Sequence, residues 1–265
     1  MKLPIYQVDA FTDRVFSGNP AAICPLEQWL DDATMLAIAA ENNVSETAFC
    51  VHEGSDYSLR WFTPKAEVQL CGHATLATGL IVFNYLQPGT SSVMFQSCSG
   101  PLSVKQEGEF LAMDLPAIPA RTCSNPPASL LAGLKPTPRV VLESGQGGEG
   151  NYFVVYDTEQ EVRDATSDLP QLEKLHPAGV CITAPGEKSD FVSRYFVPSY
   201  GIPEDPVTGS THSTLGPYWS ERLAKKILNA RQISQRGGAL IVEPRAERVI
   251  LRGKATLYLK GEISI

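Results

Sequence analysis

The sequence predicts an α+β protein made of two related halves, each holding many strands and one long helix. Three observations predict it. A ten-residue block recurs, a glycine turn that opens a helix recurs after it, and short apolar runs are punctuated by Pro, Gly and polar turns along the 265 residues.

The block Ser55 to Pro64 reads SDYSLRWFTP, and Ser189 to Pro198 reads SDFVSRYFVP. Five of the ten positions are identical at an offset of 134, and two more are aromatic in both. Each block follows an apolar strand, Thr47 to Val51 in one half and Gly179 to Thr183 in the other. The first half then runs to Gly72-His73-Ala74 and the second to Gly209-Ser210-Thr211. These glycines are 137 apart, so an insertion of three residues separates the two registers. A repeat of this length recasts the fold as two copies of one unit.

Each remaining element has a local reason. Ile5 to Val8 reads as a strand. Asp32 to Asn42 reads as a helix, with Asp31 or Asp32 able to cap it and Met35, Leu36, Ile38 and Ala39 on its apolar side. Val93 to Phe95 and Leu102 to Val104 read as strands around a turn at Cys98 to Pro101. Leu111 to Leu115 is another, ended by Pro116. Pro116 to Pro138 is rich in Pro, Ser and Ala and reads as a linker. Val140 to Leu142 restarts the strand pattern, and late strands fall at 239–242, 248–251 and 255–259. Helical runs are expected at Ala74 to Tyr85 and Thr211 to Leu228. The halves therefore divide as 1–116 and 117–265, with the last strand free to pair back on the first half.

Composition excludes several classes of function. A net charge of −7 and the lack of any basic block argue against nucleic acid, whose phosphates demand clustered Lys and Arg. The same charge argues against an anionic membrane surface, and no apolar run is long enough to cross a bilayer. The first residues lack the apolar stretch of a signal peptide. Six scattered cysteines, Cys24, Cys50, Cys71, Cys98, Cys123 and Cys181, show no metal-ligand spacing and read as buried free thiols of a reducing, cytoplasmic compartment. Gly145 to Gly150 looks like a dinucleotide fingerprint, but a strand at Tyr152 to Tyr156 follows it where a helix is required, so it reads as a hairpin loop. No metal site and no cofactor are expected.

The candidate chemistry gathers at the repeated turns. A helix start offers unpaired N–H groups and the positive end of a dipole, which suits a carboxylate. Gly72 and Gly209 open two such starts, with His73 and Ser210 at aligned positions beside them. Glu204-Asp205-Pro206 lies just upstream of the second. Glu46, by strand alternation, shares a face with Val44, Ala48 and Cys50. A carboxyl on an apolar face is costly to ionise, which makes it a candidate proton carrier near neutral pH. His52, His176 and His212 have no comparable context and read as surface or structural residues.

These same segments resemble the PhzF-like family, named after a phenazine-biosynthesis isomerase. The resemblance is carried by Val8 to Thr12, Gly18-Asn19-Pro20-Ala21, Ser45 to Phe49, Cys71 to Thr75 and Glu204 to Ser210, with Gln235 to Gly238 and Gly253 to Ala255 later. It implies the fold of diaminopimelate epimerase, two barrel-like domains each wrapping strands around a central helix, with the site between the halves. It implies cofactor-independent isomerisation by proton transfer on a small carboxylated metabolite, and a homodimer. Glu46 matches the catalytic glutamate. Gly72, His73, Asp205, Gly209 and Ser210 match substrate-lining positions, and Ser45 and Asn19 are further lining candidates. The epimerase relatives use two cysteines. Cys71 stands at the first position, but no cysteine lies between Asp205 and Thr211, which argues against a two-thiol racemase. A racemase or epimerase of this fold, or a metabolite-binding protein without catalysis, are the alternatives.

Overall fold

A computed structural model describes residues 1–145 and 150–265. Most of the loop expected at Gly145 to Gly150 lies outside the described residues. The chain divides into two compact units, Met1–Leu115 with Ile250–Ile265, and Pro116–Val249.

The first unit runs β1 (Lys2–Ala10), β2 (Asn19–Leu26), α1 (Asp32–Asn42), β3 (Glu46–Glu53), β4 (Asp56–Phe62), β5 (Glu67–Val68), α2 (Gly72–Ile81), β6 (Ser92–Ser97), β7 (Gly100–Glu107) and β8 (Phe110–Pro116). The second adds β9 (Arg121–Thr122), α3 (Ala128–Ala132), β10 (Leu134–Lys135), β11 (Val140–Glu143), β12 (Tyr152–Val155), α4 (Glu159–Asp164), β13 (Thr166–Ser167) and α5 (Leu169–Glu173). It continues with β14 (Val180–Pro185), β15 (Phe191–Val197), β16 (Ile202–Asp205), α6 (His212–Leu223), β17 (Leu228–Gln232) and β18 (Gly238–Arg245), and the chain passes back to the first unit within β19 (Arg248–Gly253). The last strand, β20 (Ala255–Ser264), pairs antiparallel with β1 and so groups with the first unit.

The repeat in the letters is a repeat in the ladders. In the first unit β1–β2 is antiparallel, β2–β3 parallel across α1, β3–β4 antiparallel, β4–β6 parallel and β6–β7 antiparallel. In the second, β11–β12, β12–β14, β14–β15, β15–β17 and β17–β18 follow the same order of senses. Side-chain contacts are duplicated too. Arg60 of β4 reaches both carboxylate oxygens of Glu67 at 2.7 Å and stacks on Phe62. Arg194 of β15 reaches both oxygens of Glu204 at 2.8 and 2.9 Å and stacks on Phe196. Each bidentate pair ties the hairpin to the short strand that leads into the central helix.

Each unit keeps its core against its sheet. In the first, Met35 and Ile38 of α1 pack on Leu3, Ile5, Cys24 and Phe49. Asp31 caps α1 by accepting from the Thr34 amide at 2.9 Å, and Asn43 ends it in the left-handed conformation. In α2 only Leu80 is not buried, and the helix touches β1, β2, β3, β7 and β20. A helix enclosed on all sides must satisfy its own polar groups. Thr75 and Thr78 do so by donating to the carbonyls of Cys71 and Ala74 at 2.6 and 2.7 Å. A Cβ on Gly79 would lie 2.7 Å from Val104 Cγ1 of β7. A Cβ on Gly216 of α6 would lie 2.7 Å from Val242 Cγ1 of β18. Glycine thus sets the depth of both central helices.

Three expectations change. The segment Pro116 to Pro138 is not a linker: β9 pairs with β11, β10 with β13, and α3 packs on α5. Cys123, Leu130 and Leu134 are core residues of the second unit, so proline-rich composition here concealed folded chain. The helix expected at Ala74 to Tyr85 ends at Ile81 and continues as one π-helical turn, Val82–Leu86. The one expected from Thr211 to Leu228 runs only from His212 to Leu223, because Ala224 turns left-handed (φ 50°) and Leu228 opens β17. Of the six free cysteines, Cys98 is exposed and the rest are buried.

Candidate active site

Asn19 and Glu46 are the first residues of the neighbouring parallel strands β2 and β3, so both stand at the same end of the pair. Gly18 makes that entry possible: its φ is +68°, and a Cβ there would lie 2.2 Å from the Ala10 carbonyl oxygen. Gly72 begins α2, which places His73 in its first turn facing both strand ends. His73 Nε2 stands 3.1 Å from Glu46 Oε2. His73 Nδ1 stands 3.1 Å from Asn19 Nδ2 and 3.4 Å from Cys71 Sγ. Asn19, Cys71 and His73 are buried, and 12% of the Glu46 side chain is exposed.

The Glu46–His73 approach is close without the alignment of a full hydrogen bond, and among the described residues neither facing atom has a hydrogen-bond partner elsewhere. Buried polar atoms left in this state are rare and mark sites of function or strain. Burial by itself disfavours the imidazolium. The opposing pull of Cys71 and Glu46 outweighs it and holds the His73 pKa well above its ordinary value. Burial pushes the Cys71 thiol up to about 11, with the Glu46 charge adding to it, so the thiol stays protonated at neutral pH. The helix start, which could have lowered it, does not prevail. The neighbours suit His73 in either charge state. Neutral, Nδ1 accepts from the Asn19 amide. Protonated, the ring donates from Nδ1 toward the sulfur and from Nε2 toward the carboxylate.

Glu46, Cys71 and His73 each bring one possible metal ligand within 4.8 Å of the others. The sulfur faces one ring nitrogen and the carboxylate the other, so an ion on either nitrogen would lose one of the two. This arrangement fits a proton-handling network better than a metal centre.

The second unit presents a different set at the corresponding turn. Asp205 ends β16, is buried, and its Oδ2 accepts from the Thr208 hydroxyl at 2.5 Å. Buried Gln232 braces the turn, donating to the Asp205 carbonyl at 2.7 Å and accepting from the Thr208 amide at 2.8 Å. Gly209 to Thr211 form a tight turn, with His212 and Ser213 amides bonded back to Gly209 and Ser210 at 3.0 and 3.1 Å. Gly209 is buried and Ser210 partly so. Thr208 stands at the repeat position of Cys71, which is why a second thiol is missing. Ser45 is partly buried just before β3.

Within the first unit, then, Glu46, His73 and Asn19 come together, with Gly72 at the helix start. Asn19, expected to line the substrate, touches His73. Cys71 and Gln232 were not foreseen in these contacts. The Cys71-Gly72-His73 spacing could have indicated the first, while nothing in the letters around Gln232 marks it. His212 is fully buried, donates to the Thr208 carbonyl at 2.9 Å, and burial lowers its pKa to about 4.

The profile of the phenazine biosynthesis-like protein family matches residues 8–261. An uncharacterized isomerase of Pseudomonas aeruginosa is 48% identical over 265 residues, covering all of both chains. The crystal structure of a PhzF-family phenazine biosynthesis protein from Enterococcus faecalis superposes with a TM-score of 0.92 at 45% identity, again covering all of both chains. A probable proline racemase from Agrobacterium radiobacter has the same fold at 9% identity, with a TM-score of 0.69 over 99% of this chain and 93% of its own. The fold is the α+β, diaminopimelate epimerase-like one that the sequence predicts. The chain belongs to the phenazine biosynthesis-like (PhzF) family and is an isomerase.

Proposed function

We propose that the protein is a cofactor-independent isomerase that moves a proton on a small carboxylated metabolite, with Glu46 as general acid and base. The observation that carries this reading is the buried Glu46–His73 contact, whose facing atoms have no other hydrogen-bond partner among the described residues. Glu46 removes a proton from a carbon beside an activating π-system and returns it elsewhere on the same face. His73 takes up the charge change, its ring steadied by Asn19 and Cys71. Gly72, Gly209 and Ser210 offer donors to the substrate carboxylate as charge builds on it. Asp205 orients the substrate, and Ser45 adds a polar wall. The protein works in the cytoplasm as a homodimer. Thr208 in place of a second thiol speaks against two-thiol racemisation.

The test is proton exchange. Small carboxylated metabolites are incubated with the protein in D2O and followed by proton NMR. The wild type should exchange a carbon-bound proton of a true substrate, and Glu46→Gln should slow that exchange by about 100-fold or more. Full exchange with Glu46→Gln would remove Glu46 from its role. Saturable binding without any exchange would select the binding-protein alternative.

A further inference from the structure

We propose that β20 is a self-complementary edge through which two copies of this chain pair, strand against strand, antiparallel about Gly261. The inference rests on the homodimer of the reading above and says where its seam lies.

Among the described residues the strand pairing of β20 is with β1 alone, and Tyr258 to Glu262 are exposed. The polarity of the open side follows from the ladder. The Ile265 amide donates to the Met1 carbonyl at 2.8 Å and the Met1 nitrogen bonds back to Ile265, so these two form a hydrogen-bonded pair. Leu3 faces Ile263 and Ile5 faces Gly261 in the same register. By the two-residue alternation of antiparallel strands, Gly261 and Ile263 turn their backbone groups to β1. Lys260, Glu262 and Ser264 turn theirs outward. A long edge of this kind invites another strand unless something guards it.

The side chains commit it to a second copy of itself. A two-fold axis at Gly261 sets Lys260 opposite Glu262 of the second copy, in a hydrogen-bonded position, and the reverse pair follows by symmetry. Opposite charges directly across a ladder attract. Glu262 already lies 2.6 Å from Lys2 of its own chain, which leaves its second oxygen for this contact. On the other face the same axis sets Leu259 opposite Ile263. Leu259 is 41% and Ile265 46% exposed, costly for apolar side chains left in water. Beside them lies a groove of about 490 Å³ lined by Thr34, Ala37, Ile38, Ile263 and Ile265. Gly261 itself points to a close approach. A Cβ there would meet Leu259 at 3.6 Å and Ile5 at 3.9 Å, ordinary contacts, so the single chain has no need of glycine at this place. Glycine within a strand otherwise weakens it and often marks where another backbone comes near.

Sedimentation velocity on the full chain tests the pairing. The wild type should be a dimer. Lys260→Glu alone and Glu262→Lys alone should each weaken association by about tenfold at low salt, since each sets like charges face to face twice. The double swap should restore it. In a Cys98→Ser background, Gly261→Cys should cross-link to itself on oxidation, because directly opposed non-bonded residues have Cα atoms about 4.5 Å apart. Leu257→Cys, far from the axis, should not. A dimer indifferent to both charge changes and not cross-linked at 261 would place the seam elsewhere and leave the homodimer standing. A monomer at every concentration would overturn both. Circular dichroism on each variant separates lost pairing from lost folding.

Discussion

His73 shows how one residue is given a task by three neighbours of different chemistry. Asn19 can offer an amide N–H, the Cys71 sulfur can accept, and the Glu46 carboxylate draws positive charge, so the ring keeps one orientation whichever charge it carries. Asn19→Ala should therefore lower turnover by about tenfold and move the pH profile of the reaction with little change in KM. An unmoved profile would reduce Asn19 to packing. His212 gives the opposite case. Its Nδ1 donates to the Thr208 carbonyl and its Nε2 is buried without a hydrogen-bond partner among the described residues, so a second proton there would find no acceptor among them. With a pKa near 4 in the folded chain against 6.5 in the unfolded one, the unfolded chain alone binds a proton between those values. Stability should fall as pH drops through that window, by on the order of 3 kcal/mol. His73, whose pKa is raised, acts in the other sense: its stabilisation is full below the unfolded value and is lost as pH climbs through the folded one. Urea unfolding across pH would check this. His212→Asn, which keeps a donor to Thr208 but cannot titrate, should flatten the acid limb.

At the scale of elements the paired helices carry the clearest expectation. Gly79→Ala and Gly216→Ala each push a methyl against a valine of the facing strand, and each should cost about 1–3 kcal/mol in denaturant unfolding. Val104→Ala in the first case, and Val242→Ala in the second, should recover part of the loss by making room. Should Gly79→Ala prove as stable as the wild type, the depth of α2 is not set by that contact. The two arginine braces belong to the same scale. Glu67 and Glu204 share the offset of Gly72 and Gly209, so the brace was written in the letters beside the turn it supports. Other elements were less legible. Pro116 to Pro138 looked like linker because proline and alanine dominate it, and its few core residues follow no helix or strand period. The end of α6 at Ala224 depends on a left-handed residue that is not glycine, and letters alone do not announce that.

At the scale of the whole molecule, the duplicated topology was legible because duplication leaves two independent copies of each signal. The site was legible in part. Glu46 and His73 stood in conspicuous motifs, and the structure brings them within 3.1 Å. What could not be read was the side-chain wiring behind them, since Asn19, Cys71 and Gln232 act through contacts that join residues distant in the sequence or hidden within a turn. The pairing of β20 with β1 bears on how the protein is made. The first unit to leave the ribosome lacks its closing strand until β20 has been made, while the second unit, Pro116–Val249, is complete earlier. Nascent chains arrested with Val249 clear of the exit tunnel should resist protease across the later segment and be cut in the earlier one. Protection of that kind would mean that the order of birth and the order of folding run in opposite directions in this chain.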